Sequence, residues 1–236
     1  MTDEDLIKDA FEDKRWADIR AESSWQIFKI MGEFVEGFDK LDKIGPCVTI
    51  FGSARTKPEN KYYEIASDIA KKLTMEGYGV ITGGGPGIME AANKGSQEAG
   101  KGKSVGLNID LPFEQYPNKY IDRDKLINFD YFFVRKVMFI KYAQGFVVLP
   151  GGFGTLDELF EALTLIQTKK IGAFPIVLIG TEYWSGLFDW IKHTMLGKYE
   201  NIDAEDLSLV KLTDSADEAV EHINKFYSKY IHAPNF

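Results

Sequence analysis

Short apolar runs alternate along this chain with longer amphipathic segments. From Cys47 onward, each apolar run suits a buried strand, and the segment after it carries apolar residues three and four positions apart, as in a helix. The predicted strands are 47–51, 79–82, 104–109, 126–129, 146–149, 175–179 and 207–212. Strands that alternate with helices predict an α/β fold with a mainly parallel sheet and helices on both faces.

The segment before the first strand has a helical pattern of its own. Its apolar residues recur at intervals of four and three, and they are Ile27, Met31, Phe34, Phe38 and Leu41. We therefore predict an N-terminal helical extension over 1–44, followed by one nucleotide-binding domain over 45–236. The apolar face of the extension packs either on its own domain or on a second subunit, and the pattern does not choose between them.

The composition is that of a globular protein and argues against several functions. The 236 residues suit one α/β domain or at most two small ones, and an apolar content of 44% is sufficient for a core. A net charge of −8 argues against nucleic acid as a partner. A single cysteine and three widely separated histidines predict no disulfide within the chain and no metal site.

The chain also lacks the sequence features of a membrane or exported protein. No apolar run approaches the ~20 residues of a membrane span. The acidic N-terminus lacks the basic start and apolar middle of a signal peptide. We expect a cytoplasmic protein with no membrane partner.

Three predicted strands end in unusual loops, at 52–55, 83–87 and 150–155. Ligands of parallel sheets bind at the carboxyl ends of the strands. Glycines between a strand and a helix let amide groups approach an anion, most often a phosphate. Thr155 adds a hydroxyl to the third loop. The alternative is that these glycines only form tight turns, but two such loops on one sheet favour phosphate binding.

Neither glycine-rich loop matches a common nucleotide motif. Both lack the Gly-Lys-Ser/Thr sequence of a Walker A loop. Neither follows Gly-x-Gly-x-x-Gly cleanly, and no acidic ribose ligand follows the next strand. A dinucleotide dehydrogenase is therefore disfavoured.

Charged residues near these loops are candidates for chemistry. Glu158 lies one helical turn beyond Thr155, where a carboxylate beside an anion site suggests catalysis or ribose binding. Arg135 and Lys136 lie at a helix start, where cations oppose the dipole and require a partner, either a phosphate or Glu158. Glu90 follows the second loop and is placed to bind a ribose hydroxyl or a base amine. The alternatives are a first-turn glutamate for Glu158 and Glu90, and a surface pair for the two cations.

Two motifs resemble those of the LOG (Lonely Guy) family. They are Gly83-Gly-Gly-Pro-Gly-Ile-Met-Glu-Ala-Ala-Asn93 and Pro150-Gly-Gly-Phe-Gly-Thr-Leu-Asp-Glu158. The resemblance extends from about Val48 to at least Ile191 and is closer to the longer bacterial branch. It implies an open Rossmann-like sheet and a homodimer or a higher homo-oligomer. It also implies hydrolysis of the N-glycosidic bond of AMP or N6-prenylated AMP, giving the free base and ribose 5-phosphate without a cofactor.

The resemblance assigns roles to residues of this chain. Arg135 and Glu158 match the family's catalytic arginine and glutamate. The implied substrate-binding residues are Gly52, Ser53, Gly83, Gly84, Met89, Glu90, Lys136, Gly151, Gly152, Gly154, Thr155 and Thr164. Glycoside cleavage passes through an oxocarbenium-like state, which Glu158 would stabilise while activating water.

Other functions remain as alternatives. Molybdenum-cofactor carriers resemble this family in their glycine loops and bind a phosphorylated pterin without cleaving it. A nucleotide sensor whose N-terminal helix contacts a partner is a second alternative. Families of this kind have also been labelled lysine decarboxylases, but no lysine beside the glycine loops is placed to form a Schiff base.

Overall fold

A computed structural model of the chain describes residues 16–100, 103–111 and 116–236, and side chains from residue 25 onward within these ranges. The strands are β1 (Cys47–Phe51), β2 (Gly79–Thr82), β3 (Ser104–Ile109), β4 (Leu126–Phe129), β5 (Ala143–Val148), β6 (Ile176–Ile179) and β7 (Val210–Thr213). The helices are α1 (Trp16–Leu41), α2 (Lys61–Met75), α3 (Ile88–Ala99), α4 (Phe132–Tyr142), α5 (Phe153–Gln167), α6 (Thr181–Trp190) and α7 (Ala216–Tyr227). Short 3-10 helices span Arg123–Lys125 and Ala204–Leu209, and a π-helix spans Ile191–Lys198.

The strands form one sheet in the order β4-β3-β2-β1-β5-β6-β7. Each pairing in the described sheet is parallel, so the predicted α/β architecture is confirmed. The chain moves outward from β1 to β4 and then returns to place β5 beside β1. This reversal opens a crevice at the carboxyl ends of β1 and β5, where ligands of such sheets bind.

Two hydrophobic cores cover the two faces of the sheet. Val48 and Ile50 of β1 face a core that includes residues of α2, α3 and α7. Phe51 faces the opposite core, with residues of α4, α5 and α6. Successive side chains of a strand point to opposite faces, so a short strand whose side chains are all buried supplies both cores.

The N-terminal helix packs on the domain through its C-terminal half. Leu41 is buried, and Phe34 and Phe38 pack against the core that includes residues of α4. Ile27 and Met31 are 57% and 55% exposed. The C-terminal half of the predicted apolar face therefore packs on its own domain, which was the first of the two alternatives. Packing on a second subunit stays a prediction, as does the division into 1–44 and 45–236.

The limits of the last three strands differ from those predicted, most of all where β5 and β7 begin. β5 begins at Ala143 and not at residue 146, because the side chain of Gln144 is buried and bonded to the backbone of Ala233. β7 begins at Val210 and not at residue 207, because the residues before it form a 3-10 helix with a capping box. None of the helices described is both long and apolar enough to cross a membrane.

Candidate active site

A cleft of about 850 Å³ opens at the carboxyl ends of β1 and β5. Its walls are the loops after β1, β2 and β5 together with residues of α4, α5 and α6. Of the residues predicted to form the site, those that line the cleft are Gly52, Ser53, Gly83, Met89, Arg135, Gly151, Gly152, Gly154, Thr155 and Glu158. Gly84, Glu90, Lys136 and Thr164 are not among its lining residues.

The loop after β5, residues 150–155, presents a helix start to the cleft. Gly152 caps α5 without a side-chain bond, and the first amide groups of a helix have no acceptor within it. A Cβ added at Gly152 or Gly154 would meet nothing within 4 Å. This loop, termed the open loop below, therefore leaves room beside the positive end of α5 for an anion.

Packing constrains the rest of the open loop. A Cβ at Gly151 would lie 2.1 Å from Oγ1 of Thr155, so only glycine fits there. The hydroxyl of Tyr183 donates to the carbonyl of Gly151. The amide of Ser53 donates to the carbonyl of Pro150 at 3.0 Å and joins this loop to the one after β1. The helix start is thus fixed from two sides.

The loop after β2, residues 83–87, is held by polar bonds of its own. The amide of Gly84 donates to Oγ1 of Thr82 at 3.0 Å. The side-chain amide of Asn118 donates to the carbonyls of Gly84 and Gly85, each at 3.0 Å, and lies 2.9 Å from Oδ1 of Asn93. We term this segment the locked loop, since its polar groups are largely bonded within the fold.

Glu158 and Arg135 are the charged pair of the cleft. Glu158 is only 4% exposed, and its Oε2 is buried without a hydrogen-bond partner. Nε of Arg135 is likewise buried and unpartnered, and the guanidinium lies 5.0 Å from the Phe132 ring and 5.5 Å from the Phe139 ring. Unsatisfied buried polar atoms are costly, so their position in a cleft indicates that a ligand or water completes the site.

Burial and the charge of the other residue shift the pKa values of Glu158 and Arg135 in opposite directions. Burial raises the pKa of Glu158 to about 7, although the positive charge of Arg135 acts to lower it. Burial also lowers the pKa of Arg135, and the charge of Glu158 opposes that shift. Because guanidinium groups keep their proton in proteins, the titrating group is Glu158. A carboxyl that titrates near neutrality is suited to proton transfer.

The amine of Lys136 is ion-paired outside the cleft. Its Nζ lies 2.8 Å from Asp157 and 3.3 Å from Glu161, which are both carboxylates of α5. Thr164 lies two turns further along α5, where its hydroxyl donates to the carbonyl of Phe160. Glu90 is half-buried in the first turn of α3. The fold thus brings together the two proposed catalytic residues and the open loop, but not these three side chains.

Aromatic side chains line part of the cleft, and Phe51, Phe132 and Phe139 are among them. Tyr116 and Phe133 are exposed and do not line it. Asn118 and Tyr183, which hold the two glycine loops, had no sequence signal, because each is far along the chain from the backbone that it binds.

Within residues 16–100, 103–111 and 116–236, no group of three or more histidine, cysteine, aspartate or glutamate residues is arranged to hold a metal ion.

Comparisons with known proteins give a family and a fold. A family model described as "Possible lysine decarboxylase" matches residues 89–223, more than half of the chain. The cytokinin riboside 5′-monophosphate phosphoribohydrolase of Mycobacterium tuberculosis is 30% identical over 156 residues, which are 64% of this chain and 81% of that protein. The pyrimidine/purine nucleotide 5′-monophosphate nucleosidase of Escherichia coli K12 is 27% identical over 150 residues, 58% of this chain but 32% of that protein.

A solved structure supports the fold. The molybdenum-cofactor carrier protein of Chlamydomonas reinhardtii superposes with a TM-score of 0.55 at 22% identity, over 79% of this chain and 99% of that one. At this identity the likeness shows a shared fold, which confirms the Rossmann-like sheet.

Proposed function

Because the chain belongs to the LOG family, whose model carries the description "Possible lysine decarboxylase", we propose that it hydrolyses the N-glycosidic bond of a purine nucleoside 5′-monophosphate. The substrate is AMP or its N6-prenylated form, and the products are the free base and ribose 5-phosphate. The observation that carries the proposal is the buried pair of Glu158 and Arg135, with unpartnered polar atoms, beside the open loop.

In this proposal the open loop holds the 5′-phosphate. The amides at the start of α5 donate to the phosphate oxygens, and the hydroxyl of Thr155 is the nearest side-chain donor. The bare surfaces of Gly152 and Gly154 let the phosphate approach the backbone. A fixed phosphate places the ribose, so that binding energy is used to orient the bond that breaks.

The chemistry is assigned to Glu158 and Arg135. As the glycosidic bond lengthens, positive charge develops at the anomeric carbon, and the Glu158 carboxylate stabilises it. A water molecule adds its oxygen to that carbon while Glu158 accepts its proton, and the base leaves with the electron pair of the broken bond. The departing base takes up a proton from solvent, and Glu158 returns to solvent the proton that it accepted. Arg135 orients Glu158 and holds the nucleotide. Ionised Glu158 is needed for this step, so turnover rises with pH through about 7.

Direct contact with the nucleotide is proposed for the predicted residues that line the cleft. Gly52, Ser53, Gly83 and Met89 line the cleft together with the open loop. Lys136 contributes through its charge, since its amine is bound by Asp157 and Glu161. The family resemblance also assigns substrate contacts to Gly84, Glu90 and Thr164, and these require either a movement or a neighbouring subunit of a homo-oligomer.

A decarboxylase reaction does not fit the cleft. Pyridoxal phosphate enzymes hold their cofactor through a lysine Schiff base. The described residues that line the cleft include no lysine. Lys136, on the helix of Arg135, is ion-paired outside it. The residues present therefore do not fit this cofactor.

The second candidate function is a phospho-ligand binder that performs no cleavage, such as a molybdenum-cofactor carrier or a nucleotide sensor. The fold shared with the carrier protein of Chlamydomonas reinhardtii supports it. Binding alone needs the open loop but not a buried carboxyl with a pKa of about 7 beside an arginine. We therefore place the hydrolase first.

The test is a chromatographic assay of the purified protein with AMP, N6-isopentenyl-AMP, GMP and CMP. We expect free adenine or isopentenyladenine together with ribose 5-phosphate, and the faster substrate names the base. CMP and GMP are included because the Escherichia coli relative is named for pyrimidine and purine nucleotides.

A Glu158→Gln variant is the matched control, because it keeps the shape of the side chain and removes its charge. We expect turnover to fall by roughly 1,000-fold or more while AMP still binds. If no nucleotide releases a base but AMP binds, the carrier or sensor function replaces the hydrolase.

A further inference from the structure

The N-terminal helix α1 touches the backbone just before α4, the helix that carries Arg135. Oε1 of Glu33 accepts a hydrogen bond from the amide of Asp130 at 2.8 Å. Oε2 of Glu33 faces the amide of Tyr131 at 3.4 Å. One half-buried carboxylate of α1 thus binds two successive amides at the start of α4.

The first turn of α4 has no acidic residue and no capping side chain, although Asp130 lies just before the cap residue. Tyr131 occupies the cap position. Arg135 and Lys136 follow, and the amide of Arg135 donates to the carbonyl of Tyr131 at 3.2 Å. Positive side chains near the positive end of a helix dipole are unfavourable. Glu33 adds a carboxylate from another helix, and this carboxylate is the one that binds the amides of Asp130 and Tyr131.

Two further contacts hold α1 along the length of α4. Gly37 packs against Met138 so closely that a Cβ there would lie 2.6 Å from the methyl carbon of Met138. At the other end of α4, the hydroxyl of Tyr142 donates to Asp42 at 2.6 Å. These contacts keep Glu33 opposite the first turn of α4, so the carboxylate fixes where that turn begins.

We propose that Glu33 is a positioning residue for the hydrolytic site: by binding the amides of Asp130 and Tyr131, it fixes the turn of α4 that carries Arg135 into the cleft that Glu158 also lines. This inference rests on the proposed function, and it gives the N-terminal helix a role in catalysis without contact with the substrate. Loss of the carboxylate lets the first turn of α4 fray and moves the guanidinium away from Glu158.

The charges around Glu158 provide a readout that a merely structural role would not change. Arg135 and Lys136 lower the pKa of Glu158, while burial and the carboxylates of Glu161 and Asp157 raise it. If Arg135 moves away, its lowering effect weakens, and the pKa of Glu158 rises further. The ascending limb of the pH–rate profile then shifts to higher pH.

The experiment compares Glu33→Ala, Glu33→Gln and Glu36→Ala in the full chain. Glu36 is an exposed residue of the same helix, paired with Lys40 at 2.6 Å, and serves as the matched control. For Glu33→Ala we expect kcat about 10-fold lower with a smaller change in KM, and an ascending limb about half a pH unit higher. Glu33→Gln keeps one acceptor oxygen and should show a smaller shift in the same direction. Glu36→Ala should match the unmodified protein.

A folded Glu33→Ala protein with unchanged kcat and an unchanged pH profile would overturn the inference. If Glu33→Ala does not fold, Glu33→Gln is tested in its place. An unshifted pH–rate profile in that variant would also overturn the inference. The pKa of Glu158 is also measured by carbon NMR titration of labelled glutamate, assigned with Glu158→Gln. If the unmodified protein releases no base, the proposed function fails, yet a higher Glu158 pKa in the Glu33 variants still supports the coupling.

Discussion

The locked loop after β2 and the open loop after β5 both place glycines between a strand and a helix, yet these glycines have different surroundings. In the locked loop, Gly84 and Gly87 have φ of +76° and +68°, and a Cβ on Gly87 would lie 2.4 Å from the carbonyl oxygen of Ser53. In the open loop, Gly152 and Gly154 have no atom within 4 Å of an added Cβ. The first set of glycines is required by the backbone, and the second leaves space for a ligand.

The difference teaches what a glycine-rich motif can mean. In the locked loop the tight-turn interpretation accounts for the glycines, because the carbonyls and the Gly84 amide are bound by Asn118 and Thr82. In the open loop the anion-site interpretation is favoured, because there is free space around Gly152 and Gly154 at the start of α5. The locked loop still forms one wall of the cleft, where Gly83 lies near Arg135.

The largest effect is expected from filling the locked loop. Gly87→Ala should lower the free energy of unfolding by about 3 kcal/mol or more, because the new Cβ meets a backbone oxygen that cannot move aside and φ is positive. Thermal or urea unfolding measures the loss. The comparison variant is Gly100→Ala. Gly100 has the same φ of +68° but a ψ of 5°, against −126° for Gly87, and an added Cβ has nothing within 4 Å, so the substitution should cost only about 1 kcal/mol. Equal losses in the two variants would show that the contact with Ser53 does not matter.

The next largest effect is a loss of AMP binding at the open loop without a loss of stability. Gly152→Val should leave the melting temperature almost unchanged, because Gly152 is extended, at φ −94° and ψ −157°, and has free space around it. The new side chain occupies the space proposed for the phosphate, so KM for AMP should rise roughly 100-fold. Calorimetric titration of AMP and the base-release assay measure it.

Gly172→Val is the control for that substitution, because Gly172 also has no atom within 4 Å of an added Cβ and does not line the cleft. Its KM should be unchanged. If Gly152→Val bound AMP as tightly as the control, the phosphate would have to bind elsewhere in the cleft.

The local sequence pattern was sufficient to predict most strands of the sheet. The first four strands have the predicted limits, because each is a short run that is mostly apolar or small and lies between turn residues. β5 was predicted to begin three residues too late, because Gln144 looks polar in isolation and is satisfied only by the backbone of Ala233. A local window cannot reveal such a distant partner.

The same limit applies to the candidate site. Glu158 and the open loop follow one another along α5, so their proximity could be predicted from helix periodicity. The sequence also indicated that the cations at the start of α4 need a partner anion. It did not indicate that Glu33, almost one hundred residues earlier, meets the start of that helix. Residue spacing gave no means of separating the locked loop from the open one, since the bonds of Asn118 depend on the tertiary fold.

The smallest effect tests whether the open loop borders a carboxyl that is costly to ionise. Burial raises the pKa of Glu158 from 4.5 to about 7, so between these values the folded state holds more protons than the unfolded state. The free energy of unfolding therefore falls as pH rises through this window, and the loss is complete above the folded-state pKa. Glu158→Gln resembles the protonated side chain and cannot ionise. We expect the variant to match the unmodified protein near pH 4.5 and to exceed it by about 2 kcal/mol near pH 8, as measured by urea unfolding across that range. A difference that did not vary with pH would mean that Glu158 titrates as an ordinary surface carboxyl, and the case for proton transfer at the cleft would lose its electrostatic basis.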